Sequence, residues 1–164
     1  MSINEQMTTL HEVKAMRFSK AQEHLVEQKN YVFTAESKVS QAEQATEEFA
    51  QHRKLEKRRL TDEVDNSEEG VKLDQINVLN EQLAQLKQRL MAFQNKEAEA
   101  RTALANAQEQ LVKAQELLGE AHRDVTKINE VRTTLKSEAA IIEARKEEEM
   151  LADEYKYQRG RFGD

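Results

Sequence analysis

From Ile76 to Ile142 an apolar residue recurs every third then fourth position, without a slip, for almost ten heptads. The positions are Ile76, Leu79, Leu83, Leu86, Leu90, Phe93, Glu97, Ala100, Leu104, Ala107, Leu111, Ala114, Leu118, Ala121, Val125, Ile128, Arg132, Leu135, Ala139 and Ile142. Eighteen of the twenty are apolar in a chain that is 38% hydrophobic, where chance would supply roughly eight. A 3.5-residue repeat keeps one seam facing a partner helix while both supercoil left-handedly. The chain is therefore expected to hold a coiled-coil strand, and its function begins with what that strand pairs with.

A second ladder lies in the first half: Phe18, Ala21, Leu25, Gln28, Val32, Ala35, Val39, Ala42, Thr46 and Phe49. Between the ladders stands Asp65-Asn66-Ser67-Glu68-Glu69-Gly70, the one turn-like cluster in the middle of the chain. Asn and Gly tolerate left-handed backbone, Ser or Asp can cap a following helix, and Glu68 and Glu69 suit its positive N-terminus. In an antiparallel hairpin, facing residues have numbers with a constant sum. Phe18 with Leu118, Leu25 with Leu111, Ala35 with Ala100, Ala42 with Phe93 and Phe49 with Leu86 all sum to 135 or 136, which centres the turn between Ser67 and Glu68. This register alternates large layers with small ones, and small layers let helices approach closely. It leaves Val39 against Glu97, and Arg53 and Glu56 against Leu83 and Leu79. So polar a tip suggests fraying or a third party.

The expected fold is all-α: a long two-helix antiparallel coiled-coil hairpin with an overhanging C-terminal helix. It forms a single domain over residues 1–164, with helix 1 at about 4–64, the turn at about 65–71 and helix 2 at about 72–158. At 1.5 Å per residue the helices would be ~90 and ~130 Å long. Met1 would fall opposite Leu135, leaving Lys136 onward without a partner in the chain. Composition agrees. The 164 residues contain no Pro, Cys or Trp, 34% are charged and 5% aromatic. An interior Pro would cost a helix ~3 kcal/mol, and so few aromatics suit a single stripe of contact better than a globular core. Without cysteine there is no disulfide framework or thiolate metal site. Met1-Ser2-Ile3-Asn4-Glu5 has neither the basic nor the apolar region of a secretory signal, and no stretch approaches the ~20 apolar residues of a membrane span. A net charge of −6 disfavours nucleic acid and membrane surfaces as general partners.

Catalytic and cofactor chemistry find no footing. His11, His24, His52 and His122 lack metal-ligand spacing and read as solvated or seam-edge residues. The four glycines form no phosphate-cradling loop. Gly119, inside a helix, is expected to relieve crowding beside Phe18, with a hinge as the other reading. Glu147-Glu148-Glu149 reads as a solvated helix face, because catalytic carboxylate pairs need a concave, partly dry site. The chain is therefore expected to be no enzyme and to hold no cofactor or metal.

Two clusters stand out. Arg53, Lys54, Lys57, Arg58 and Arg59, set against Glu56, place four net positive charges within seven residues of an acidic protein. Pairing with nearby Glu at i,i+4 is one reading, docking onto an acidic partner the other. The second cluster is the overhang, where Ile141, Ile142, Met150, Leu151, Tyr155, Tyr157 and Phe162 lie amid charge. Fraying and insertion into another protein are both open.

Leu10-His11-Glu12-Val13-Lys14-Ala15-Met16-Arg17, followed by Ala21, resembles the opening of the YscO family of type III secretion stalk proteins. Phe49-Ala50-Gln51-His52-Arg53, followed by Arg59-Leu60, is similar to that family's aromatic-and-arginine stretch before its turn, with His52 where the family often has Trp. Length, hairpin and acidic, Tyr-containing tail match as well. The resemblance, which extends to flagellar FliJ, implies a non-enzymatic stalk seated in the pore of the hexameric secretion ATPase and reaching toward the cytoplasmic domain of the export gate. It would lie on the cytoplasmic side of the inner membrane, and some members also bind free type III secretion chaperones. Lys14, Arg17 and the overhang, with Ile141, Leu151 and Tyr155, would face the ATPase. Arg53, Lys57, Arg58 and Arg59 would face the gate. Two other classes remain open at this point: a self-associating scaffold, and a prefoldin-like holdase, for which residues 61–75 offer few strand-forming candidates.

Overall fold

The computed structural model describes residues 2–66, 70 and 72–162. Two α-helices account for nearly all of them: α1, Ile3–Asp65, and α2, Leu73–Phe162. Among the described residues there is no strand. α1 opens on a reciprocal cap, in which the Glu5 amide donates to Ser2 Oγ (3.2 Å) and the Ser2 amide to Glu5 Oε2 (3.1 Å). That Ser-x-x-Glu box satisfies two donors the first turn would otherwise leave without partners. α2 starts with a similar device, the Lys72 amide donating to Gln75 Oε1 (3.2 Å). Between the helices Gly70 has φ +78°, the left-handed backbone that glycine adopts without a Cβ penalty. The capping expected of Ser67, Glu68 and Glu69 falls outside the described residues.

The chain divides into two compact units, His24–Gln115 and Met1–Glu23 with Glu116–Asp164. In the first, which contains the turn, every seam position of α1 from Leu25 to Leu60 is buried or half-buried, and so is every seam position of α2 from Leu79 to Ala114. The best-packed part lies near the turn. Phe49, Leu60 and Leu86 form a buried cluster, against which Leu79, Leu83, Leu90 and Phe93 pack. The Phe49 and Phe93 rings stack at 4.9 Å, and the Arg89 guanidinium lies 5.1 Å from the Phe49 centroid. Leu60 is only 8% exposed, so the seam closes past Arg53 and Glu56; of the two readings of a polar tip, this packing speaks against fraying and leaves a third party open.

The register corrects the expected one by a helical turn. The Thr46 hydroxyl bonds the Phe93 carbonyl (3.3 Å), whereas Phe93 was expected across from Ala42. In the other unit, Phe18 meets the ring of His122 at 5.6 Å, four residues beyond the expected Leu118, and Lys14 pairs with Asp124. These pairs sum to 139, 140 and 138, which moves the centre of the turn to the position just before Gly70. Pairs of longer side chains, such as Phe49 with Phe93, sum higher because each leans toward its own helix N-terminus. The physical reason lies in layer volume. In the observed register Leu25 faces Ala114, Val32 faces Ala107, Ala35 faces Leu104 and Val39 faces Ala100. Each layer thus joins one large residue to one small one and fills evenly, where the expected register crowded some layers and starved others.

The same shift sets Glu97 across from the small Ala42 instead of Val39. Its side chain is 18% exposed and accepts a 2.6 Å hydrogen bond from Arg101, which also reaches Glu43 on α1 at 3.0 Å. A carboxylate on an apolar seam is tolerable when it is paired in this way. In the second unit the half-buried residues are Met7, His11, Lys14, Ala15, Phe18 and Ala21 on α1, and Leu118, Gly119, Ala121, Asp124, Val125, Arg132 and Leu135 on α2; Ile128 there is buried. A Cβ built on Gly119 would meet nothing within 4 Å, so the crowding expected beside Phe18 is absent.

Candidate docking surfaces

The basic run on α1 separates into residues with different fates. Arg53 sits half-buried on the seam. Arg59 is tied down: it hydrogen-bonds Glu56 one turn back and reaches Glu63 one turn ahead. Hydrogen bonding from Arg59, reinforced by its charge, holds the Glu56 carboxyl below the ordinary carboxylate range and raises the Arg59 guanidinium in turn. For this residue pairing at i,i+3 and i,i+4 is what the structure contains. Lys54, Lys57 and Arg58 differ. They are exposed, and none makes an ion pair with a described residue. Beside them, Arg59, Leu60, Glu63, Val64, Val78 and Leu79 line part of an open groove of about 660 Å³.

Within the other unit, Lys14 donates to Asp124 Oδ2 at 3.1 Å, with 23% of its side chain exposed. Arg17 borders a shallow depression with Ala21, Leu117 and Glu120. Every described side chain from Lys136 to Gly160 is exposed. Ile141 is 53% exposed, Leu151 65% and Tyr155 64%. On a helix these three share a face, because Ile141, Ala144, Glu148, Leu151 and Tyr155 step by three and four. The predicted site residues therefore fall into two groups, Arg53, Lys57, Arg58 and Arg59 in one unit and Lys14, Arg17, Ile141, Leu151 and Tyr155 in the other. Sequence reasoning did not find the Lys14–Asp124 pair. Its signal, a cation and an anion each beside an apolar ladder, appears only once the register is known.

A model of the YscO family, described as type III secretion protein YscO, matches residues 7–156, nearly the whole chain. The chain belongs to the YscO family. It is thereby a type III secretion protein, and its two long helices pack together as an all-α, coiled-coil-like hairpin. No curated protein and no solved structure gives a significant match. Among the described residues of this YscO-family chain, no helix is long and apolar enough to cross a membrane, and no group of three or more His, Asp or Glu side chains could hold a metal ion.

Proposed function

We propose that the chain is the central stalk of a type III secretion export apparatus, joining the hexameric secretion ATPase to the export gate on the cytoplasmic side of the inner membrane. The observation that carries this reading is the run from Lys136 to Gly160, a helix in which every side chain is exposed although apolar residues recur along it. Burying Ile141, Leu151 and Tyr155 against another protein would gain roughly 1.5–3 kcal/mol for each fully covered large side chain. Membership of a secretion family supplies the setting. In this reading Lys14 and Arg17 join the exposed run in facing the ATPase, and Arg53, Lys57, Arg58 and Arg59 face the gate. Transfer of free chaperones belongs to the same proposal, with the exposed apolar run as the surface they would share with the ATPase.

The test is reconstitution with the purified ATPase. Truncation after Leu135 removes the exposed run while keeping the paired stretches of both helices. The expected result is loss of ATPase binding and stimulation with an unchanged melting temperature and a helical circular dichroism spectrum. Full stimulation by the truncated chain would remove this reading. A wild-type chain that sediments as a stable oligomer without the ATPase would favour the scaffold instead.

A further inference from the structure

The Glu43–Arg101 bridge has an equivalent position nearer the turn, occupied by two cations. Glu43 directly follows the seam residue Ala42 on α1, and Arg101 directly follows the seam residue Ala100 on α2; the two meet across the helix pair at 3.0 Å. Moving two heptads along α1 and two heptads back along α2 preserves the facing relation. That step leads from Glu43 to Lys57 and from Arg101 to Lys87, residues that directly follow the seam residues Glu56 and Leu86. Where the first position holds an attractive pair, the second sets two ammonium groups on the same side of the seam.

Neither charge is relieved locally. Lys54, Lys57 and Lys87 have no carboxylate three or four residues away on their own helix, so pairing along the helix is closed to them. All three are exposed and make no ion pair with a described residue. Met91, one turn beyond Lys87 on α2, is 51% exposed and adds an apolar spot to the same side.

We infer that Lys54, Lys57 and Lys87, with Met91, form a docking surface straddling both helices for an acidic segment of another protein, whose carboxylates bridge Lys57 and Lys87 and whose apolar side chain covers Met91. Charge complementarity fixes the sign of the partner. The net charge of −6 over the chain fixes its size, because a long polyanion or an anionic membrane would meet repulsion beyond the patch, whereas a short acidic segment touches only the patch. The inference deepens the reading of this end as the gate-facing one and rests on it, and it adds α2 residues to a surface so far drawn on α1 alone.

The experiment titrates the full-length chain into a fluorescein-labelled acidic peptide, a Glu-rich helix with one central Leu, and follows anisotropy at two salt concentrations. Lys87→Glu is the decisive variant, because it turns the like-charged pair into an attractive one and keeps the fold. Lys87→Gln is its neutral companion, and Lys96→Glu, an exposed change elsewhere on α2, controls for net charge. The expected result is salt-sensitive binding to wild type, weakened about tenfold or more by Lys87→Glu, less by Lys87→Gln and little by Lys96→Glu. Lys87→Glu should melt no lower than wild type, and it should impair secretion. Equal affinities for wild type and Lys87→Glu, or equal losses from Lys87→Glu and Lys96→Glu, would overturn the proposal. Tighter binding to a single-stranded oligonucleotide or to phosphatidylglycerol vesicles would overturn the choice of a protein segment. A chain that stimulates the ATPase yet fails the peptide titration loses only the patch. One that passes the titration but never engages the ATPase loses the stalk reading.

Discussion

The stretch of α2 from Leu79 to Ala114 and the stretch from Lys136 to Gly160 are both continuous helix rich in charge, yet they bury their apolar residues quite differently. In the former, every seam residue is buried or half-buried against α1. In the latter the same ladder runs on through Ala139 and Ile142, and Ile142 is 51% exposed. Apolar period alone therefore does not bury a residue. Period decides which face is ready for a partner, and the length of α1 decides where the partner within the chain ends. With 63 residues in α1 and 90 in α2, some of α2 is bound to be left over.

The contrast should be plainest in side-chain truncations. Phe49→Ala removes a ring that is 8% exposed, stacked on Phe93 and covered by Arg89. It should cost about 3 kcal/mol in chemical denaturation. Leu151→Ala, at 65% exposure, should fall within about 0.5 kcal/mol of wild type. Comparable costs at the two positions would mean that the run beyond Leu135 is packed after all. The register gives a sharper check on the paired stretch. Cysteines at Val39 and Ala100 should crosslink rapidly within one chain, and cysteines at Ala35 and Ala100, a turn apart in the observed register, should do so slowly. The reverse order on a non-reducing gel would restore the register that pairs Ala35 with Ala100. A modest effect of the opposite sign is expected of Gly119→Ala, which adds a Cβ that meets nothing and removes backbone freedom from the unfolded chain. Stabilisation up to about 1 kcal/mol should appear as a raised melting temperature.

The two ladders, the antiparallel pairing and the overhang were all legible in the sequence, because a strict 3.5-residue repeat leaves few other ways to bury an apolar stripe. The register was not. Sliding one helix by half a heptad exchanges large-with-large layers for large-with-small ones while keeping every seam residue on the seam, so periodicity cannot choose. What chooses is layer volume, together with the few polar seam residues: Thr46 on the Phe93 carbonyl, and Glu97 beside Ala42 within reach of Arg101. The Ser2–Glu5 cap is legible as Ser-x-x-Glu and sets the start of α1 at Ile3, one residue ahead of the expected Asn4. The basic run was legible as a cluster, though not as its parts. Glu56 and Glu63 stand at the spacings that neutralise Arg59, whereas Lys54 and Lys57 lack such neighbours, and only the antiparallel register brings Lys87 to their side.

The exposed run continues a helix already formed, and that alters what a partner must do. An isolated segment of its length would face the unfavourable nucleation step that makes short helices marginal in water. Here the first turn is supplied by the packed residues ending at Leu135, so only propagation remains, at close to zero free energy per residue. Order in such an extension decays from its far end, one residue after another, without a single cooperative melting. A partner can therefore grip as many turns as its own surface covers, and let them go in steps. Under the proposed stalk role, contact of graded length would suit an encounter that is made and broken repeatedly.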